Sequence, residues 1–115
     1  MVPIPIPETE AVAKLPVVAA RRSGLAELCQ RFHVCRLELF GSAVSGAFDP
    51  EQSDLDFLVQ FGPLEASEYA DAFLGFKEAL EQLFGRSVDL VVPSAIRNPY
   101  FLESVERGKA LLYAA

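Results

Sequence analysis

The chain has 115 residues, of which 51% are hydrophobic, and a formal charge of −6 at pH 7. This length allows one domain with a single core and excludes a second catalytic module, so an enzyme of this size is expected to share surface with a protein partner. The acidic balance, without any basic run, disfavours a nucleic-acid-binding surface, which would carry clustered Lys and Arg.

No apolar run reaches membrane-spanning length, and the first residues lack the basic start and the apolar stretch of a signal peptide. The two cysteines, Cys29 and Cys35, have neither metal-binding nor redox spacing, so we expect reduced thiols. These features together predict a cytoplasmic protein without a membrane segment.

The N-terminal residues 1–7 alternate Pro with Val and Ile, which excludes a helix and predicts an extended arm, either flexible or laid against a neighbour. We assign residues 1–14 to this Pro-rich arm and residues 15–115 to the folded domain. A homo- or hetero-oligomer would cover part of the apolar surface.

Hydrophobic periodicity predicts the order of helices and strands after the arm. Ser23 is the expected cap of a first helix, which ends near His33 and has an apolar face formed by Leu25, Leu28, Cys29 and Phe32. The predicted strands cover residues 34–40, 54–61, 86–92 and 110–113. The two later helices cover residues 65–84, stopped by Gly85, and a segment that begins at Asn98-Pro99 and ends at Gly108. This order predicts the α/β (α+β) class, with a small mixed β-sheet flanked by helices.

Three carboxylates stand where a purely structural strand would not place them. Asp54 and Asp56 are two residues apart at the start of a strand, so both side chains project from one face and repel each other unless a cation lies between them. Oxygen-only ligation favours Mg²⁺ or Mn²⁺ over zinc. Asp89 interrupts an apolar strand, where an unpaired carboxylate is costly to bury. The plainer alternatives are a solvated strand start for the pair and an exposed edge strand for Asp89.

A second signal is the Gly41-Ser42 pair, which follows the strand over residues 34–40. Glycine permits backbone angles closed to other residues, and a turn after a strand offers free N–H donors to an anion. Taken alone, the pair is also compatible with an ordinary turn. A phosphate cradle beside a twin-carboxylate metal site indicates transfer of a nucleotidyl or phosphoryl group.

Taken together, these residues resemble the minimal nucleotidyltransferase domain of the DNA polymerase β superfamily. The resemblance rests on Gly41-Ser42, an eleven-residue spacer, the sequence Asp54-Leu55-Asp56 and the later isolated Asp89. It covers most of the chain, from about residue 23 to the end. The spacer is one residue longer than the commonest form of the pattern, and Ser45 stands where many members carry a basic residue.

The resemblance implies a nucleotidyltransferase fold and transfer of AMP from ATP to a hydroxyl group, with release of pyrophosphate. It implies that Asp54, Asp56 and Asp89 hold Mg²⁺ or Mn²⁺, and that Gly41 and Ser42 bind the phosphates. Asp89 would also orient or deprotonate the attacking hydroxyl.

The resemblance also implies a partner, since small members of this kind resemble the MntA-like antitoxins of HEPN/MNT toxin–antitoxin pairs. The expected acceptor is a tyrosine of a HEPN-type toxin. Two alternatives remain open: a non-catalytic antitoxin or binding module of the same fold, and nucleotidyl transfer to a small molecule.

Overall fold

The computed structural model describes residues 4–5, 18, 20–41 and 54–114. The predicted phosphate-binding residue Ser42, the neighbouring Ser45 and the rest of the spacer lie outside the described residues, as does most of the Pro-rich arm. The boundary between arm and domain therefore stays a prediction.

The described elements alternate between strands and helices. The strands are β1 (Ile4–Pro5), β2 (Val34–Phe40), β3 (Leu55–Phe61), β4 (Val88–Val91) and β5 (Ala110–Ala114). The helices are α1 (Arg22–Arg31), α2 (Ala66–Phe84) and α3 (Pro99–Gly108), with a short 3₁₀ turn at Pro93–Ala95. In the part of the chain that is described, no helix combines the length and the apolar character needed to cross a membrane.

The five strands form one mixed sheet in the order β1-β5-β2-β3-β4. Strands β3 and β4 are parallel, whereas the other neighbouring pairs are antiparallel. A parallel pair needs a long crossover connection, which here includes α2. The predicted class, a small mixed sheet flanked by helices, is confirmed.

Two of the predicted helix ends are confirmed. Gly85 adopts the left-handed conformation after α2, with φ 66°, and its N–H donates to the carbonyl of Glu81. Asn98 caps α3, since its side chain accepts hydrogen bonds from the N–H groups of Tyr100 and Phe101.

The predicted start of the first helix is wrong by two residues. Helix α1 begins at Arg22 with Arg21 as its N-cap, and no side-chain cap bond is present. The Leu25 N–H already donates to the Arg21 carbonyl at 2.8 Å, so the exposed Ser23 lies inside the first turn rather than before it. A serine within the first turn cannot accept the bond that defines an N-cap.

The sheet has a hydrophobic cluster on each face. The larger cluster packs strand residues such as Leu37, Phe57 and Leu90 against the buried residues of α1 and α2. The smaller one contains Phe40, Leu58 and Val105, the last of which comes from α3. Because neighbouring residues of a strand point to opposite faces, α3 lies across the sheet from α2. The candidate site is on the α3 face.

Candidate active site

The parallel pairing of β3 and β4 brings two of the predicted carboxylates together. Asp56 and Asp89 are direct partners in the register of the two strands. Each stands two residues before an apolar residue of the α3 face, Leu58 and Val91 respectively, so both side chains share that face. Their carboxyl groups are in hydrogen-bond contact. Residues 33 positions apart in the sequence thus form one acidic pair.

The electrostatics of this pair are unfavourable without a cation. The pKa of Asp56 is raised to about 6, mainly by burial, and also by the hydrogen bond to Asp89 and the negative charges of Asp89 and Asp54. At neutral pH, two ionised carboxylates in contact repel each other. A bound cation would relieve this repulsion.

Asp54 is placed differently from the other two. It lies just before β3 and is exposed, and it acts on Asp56 through its charge. Among the described residues, no group of three His, Cys, Asp or Glu side chains has the geometry of a metal site. The structure therefore pairs Asp56 with Asp89 and leaves Asp54 beside them. The donors are carboxylate oxygens alone, which suits a hard cation such as Mg²⁺ or Mn²⁺.

Gly41 lies at the end of β2, against the same carboxylate. Its φ is +74°, a backbone conformation that residues other than glycine rarely adopt. A Cβ at this position would overlap Oδ2 of Asp56. The strand register explains the approach, because the preceding residue, Phe40, is the direct partner of Asp56. Both the conformation and the packing therefore require glycine.

A cavity of about 600 Å³ opens over this acidic pair. This volume is in the range of sites that enclose small ligands and cofactors. Its polar lining consists of Gly41, Asp56, Lys77, Asp89 and Ser104. Its apolar wall is formed by Phe40, Leu90, Val91, Phe101, Val105 and Gly108. The cavity therefore offers contacts both to charged groups and to an aromatic or apolar group.

The sequence analysis did not single out Lys77 or the wall that α3 provides. Lys77 follows the buried Phe76 on α2, and nothing in the periodicity of that helix marks it as a cavity residue. Phe101 and Val105 come from a helix that packs on the opposite face of the sheet. The contributions of Lys77 and of the α3 wall both depend on which side of β4 is covered by α2 and which by α3.

Glu38 is the second feature that the sequence analysis missed. Its side chain is buried in β2 and forms ion pairs with Lys109 at 3.2 Å and Arg36 at 3.4 Å. Lys109 also pairs with Glu106 at 2.9 Å, and these two carboxylates raise the pKa of Lys109, Glu106 more strongly. The network joins β2 to the junction of α3 and β5. The criterion that marked Asp89, a carboxylate within an apolar strand, would also have found Glu38.

Comparison of the sequence with models of protein families shows which family the chain belongs to. Residues 22–112 match the model of the family described as nucleotidyltransferase domain. The chain belongs to this nucleotidyltransferase family. The match includes the acidic pair, Gly41 and the α3 wall, and it confirms the predicted family and enzyme class.

Two relatives are similar in sequence. A Methanocaldococcus jannaschii protein, provisionally named as a protein adenylyltransferase, is 37% identical over 79 residues, which are 69% of this chain and 76% of the relative. Protein adenylyltransferase MntA of Thermococcus cleftensis is 39% identical over 72 residues, covering 63% of this chain and 69% of the relative.

Solved structures are similar as well. One described provisionally as a minimal nucleotidyltransferase has a TM-score of 0.61 and 33% identity, covering 84% of this chain and 93% of its own. Another is the complex of a tri-AMPylated Shewanella oneidensis HEPN toxin with an MNT antitoxin. It has a TM-score of 0.57 and 18% identity, and covers 84% of this chain and 72% of its own. At that identity, the second comparison shows the fold alone.

Proposed function

We propose that this protein is a metal-dependent protein adenylyltransferase, which transfers AMP from ATP to a hydroxyl group of a partner protein. The observation that carries the proposal is the Asp56–Asp89 pair facing a cavity beside Gly41. Two like charges in contact do not stabilise a fold. Their presence at a cavity therefore favours a functional role over a purely structural one. The names of the two sequence relatives support AMP as the transferred group.

The chain's residues have distinct roles in this mechanism. Asp54, Asp56 and Asp89 would hold Mg²⁺ or Mn²⁺, which on binding neutralises phosphate charge. The backbone at Gly41 and the hydroxyl of Ser42 would bind the phosphates. Asp89 would orient the acceptor hydroxyl or take its proton. As the acceptor oxygen bonds to the α-phosphorus, the bond from that phosphorus to the bridging oxygen breaks and pyrophosphate leaves.

We further propose that the partner is a HEPN-type toxin, that the acceptor is one of its tyrosines, and that this chain acts as the antitoxin. The HEPN complex among the structural neighbours supports the partner class. The surface of α3 supports a protein partner more generally, because Tyr100 and Phe101 are 81% and 45% exposed beside the cavity. Exposed aromatic residues of this kind are enriched in protein interfaces.

The test is incubation of the protein with Mg²⁺, ATP and its co-purified partner, followed by intact-mass measurement of the partner. We expect mass increments of AMP with the wild type and their loss with Asp56→Asn and Asp89→Asn. Asp71→Asn is the matched control, because Asp71 is exposed on α2 and does not line the cavity. Absence of AMP on the partner, or undiminished transfer by Asp56→Asn, would remove this mechanism.

A non-catalytic antitoxin of the same fold is the alternative, and the serine at position 45, where a basic residue is common, favours it. The two differ in nucleotide binding. A ligand that binds only the folded state raises the melting temperature, so Mg-ATP stabilises the enzyme and leaves a purely steric antitoxin unchanged.

A further inference from the structure

The segment that includes the phosphate-binding turn has no cation of its own. The sequence contains neither Lys nor Arg between Arg36 and Lys77, a span that includes Gly41, Ser42, Asp54 and Asp56. A triphosphate in the cavity would therefore meet the negative charges of Asp56 and Asp89 without any positive side chain from these strands or the turn. A positively charged side chain that contacts the triphosphate has to come from another element.

Lys77 is placed to supply that cation. Among the described residues that line the cavity, it is the one with a positively charged side chain. It follows the buried Phe76 on α2, so its stem leaves the helix at the margin of the packed face. Helix α2 packs on the far face of the sheet, and β4 is the edge strand. The side chain thus reaches the cavity around the edge of the sheet.

The ammonium group of Lys77 is held loosely. Its ion pair with Glu81 joins Nζ to Oε2 at 3.4 Å, and the two side chains are 38% and 34% exposed. Exposed ion pairs contribute little, and a lysine one turn before a glutamate is the weaker orientation on a helix. An ammonium has three donor hydrogens, so Nζ can keep this contact and still bind an anion.

Glu81 also connects Lys77 to the strand that carries Asp89. The same Oε2 atom accepts a hydrogen bond from the N–H of Val88 at 3.3 Å. Val88 is the first residue of β4 and immediately precedes Asp89. Glu81 therefore contacts both the ammonium group of Lys77 and the backbone of the residue that precedes Asp89.

We infer that Lys77 binds the polyphosphate of the nucleotide through Nζ and stabilises the pyrophosphate as it leaves. This inference rests on the proposed function, and it assigns to α2 the positive charge that is absent from residues 37–76. The lysine keeps its proton throughout, because its role is to contact non-bridging oxygens as negative charge develops on them.

The test measures binding of Mg²⁺-pyrophosphate by calorimetry, with AMP transfer followed separately. We expect Lys77→Met, which keeps an apolar stem of similar length, to weaken pyrophosphate binding by about tenfold or more and to raise KM for ATP. Lys77→Arg should recover most of the affinity. Arg31→Met is the matched control: it removes the positive charge of an exposed residue on α1 and should leave binding unchanged.

Unchanged pyrophosphate affinity in Lys77→Met, with circular dichroism showing a folded protein, would overturn the role of Lys77. An equal loss in Lys77→Arg would overturn it as well, since a conservative replacement should rescue a charge contact. These outcomes are separate from failure of the proposed function, in which the wild type binds Mg²⁺-pyrophosphate in a Lys77-dependent manner but transfers no AMP to any partner.

Discussion

At the scale of single residues, Gly41 is the most constrained position of the site. Its positive φ and its contact with Asp56 are separate constraints, and Gly85 has the first without the second, since a Cβ at position 85 would meet nothing within 4 Å. A left-handed conformation costs a residue other than glycine roughly 1–2 kcal/mol. Comparing substitutions at the two glycines therefore distinguishes the effect of backbone strain from the effect of disturbing the carboxylate pair.

We predict that Gly41→Ala abolishes AMP transfer and the stabilisation by Mg-ATP, because the added methyl group must displace the Asp56 carboxylate. Gly85→Ala should lower the melting temperature by a few degrees, in line with a cost of about 1 kcal/mol, and retain transfer. Thermal melts with and without Mg-ATP and the intact-mass assay measure both effects. Full activity in Gly41→Ala would show that the close approach of the two residues is not required.

Asp56 gives a prediction on pH. Its pKa in the folded protein is about 6, against an ordinary value of 3.8, so folding favours the protonated form. The resulting stabilisation is present below about pH 4 and is lost as the pH rises through about 6. In EDTA, Asp56→Asn should therefore be more stable than the wild type at about pH 8, by on the order of 1 kcal/mol after solvent screening, with a smaller difference at about pH 4.

Thermal melts of both proteins across this pH range measure the difference. Asp71→Asn, an exposed change on α2, should show no such pH dependence. A difference that stays constant from acid to neutral pH would mean that Asp56 does not titrate with a raised pKa.

At the scale of elements, α3 is both a wall of the cavity and a helix whose start depends on one side chain. Asn98 accepts bonds from two backbone N–H groups, at 2.9 Å and 3.3 Å, and the second belongs to Phe101, which lines the cavity. The smaller hydrophobic cluster is the main apolar contact under this helix. The conformation of the first turn of α3 thus determines where Phe101 lies in the apolar wall.

We predict that Asn98→Ala destabilises the protein by about 1 kcal/mol, the usual cost of losing a helix N-cap, and weakens nucleotide binding. Asn98→Asp should retain both properties, since aspartate caps helices equally well. Urea unfolding and hydrogen exchange of the first turn of α3 measure the effect. Ser94→Ala, an exposed change in the preceding 3₁₀ turn, is the control and should be neutral. A neutral Asn98→Ala would show that packing alone fixes the start of α3.

At the scale of the whole molecule, the two faces of the sheet have different roles. One contributes most of the hydrophobic core, and the other carries the candidate site. The larger cluster contains most of the buried side chains, whereas the smaller one consists of Phe40, Leu58 and Val105 with Val91 and Ile96 against it. Several members of the smaller cluster also line the cavity. The face that contributes less to the core is the one that holds the site.

We predict that Leu80→Ala, in the larger cluster, lowers the free energy of unfolding by about 2–5 kcal/mol and leaves the nucleotide affinity of the folded fraction unchanged. Val105→Ala removes fewer atoms and should cost on the order of 1–2 kcal/mol, but it should weaken Mg-ATP binding because Val105 lines the cavity. Urea unfolding and Mg-ATP titration measure the two properties. A loss of nucleotide affinity in Leu80→Ala that matched the loss in Val105→Ala would contradict this division.

The sequence by itself determined most of the elements, because their signals are local. Strand β2, the long helix α2 and its stop at Gly85, and the Asn98 cap of α3 follow from periodicity and end residues that act over a few positions. The predicted side-by-side projection of Asp54 and Asp56 assumed that both lie in the strand, whereas β3 begins at Leu55 and Asp54 precedes it. The error at Ser23 is local as well, since serine is common both before a helix and within its first turn.

Only the tertiary structure decided which distant residues meet. The parallel register of β3 and β4, reached by a crossover through α2, places Asp89 beside Asp56, whereas a shift of one residue would turn the side chain to the other face. The same crossover brings Lys77 to the cavity, and packing on the smaller cluster brings Phe101. Contacts between elements depend on how whole faces pack, which no spacing within one element encodes.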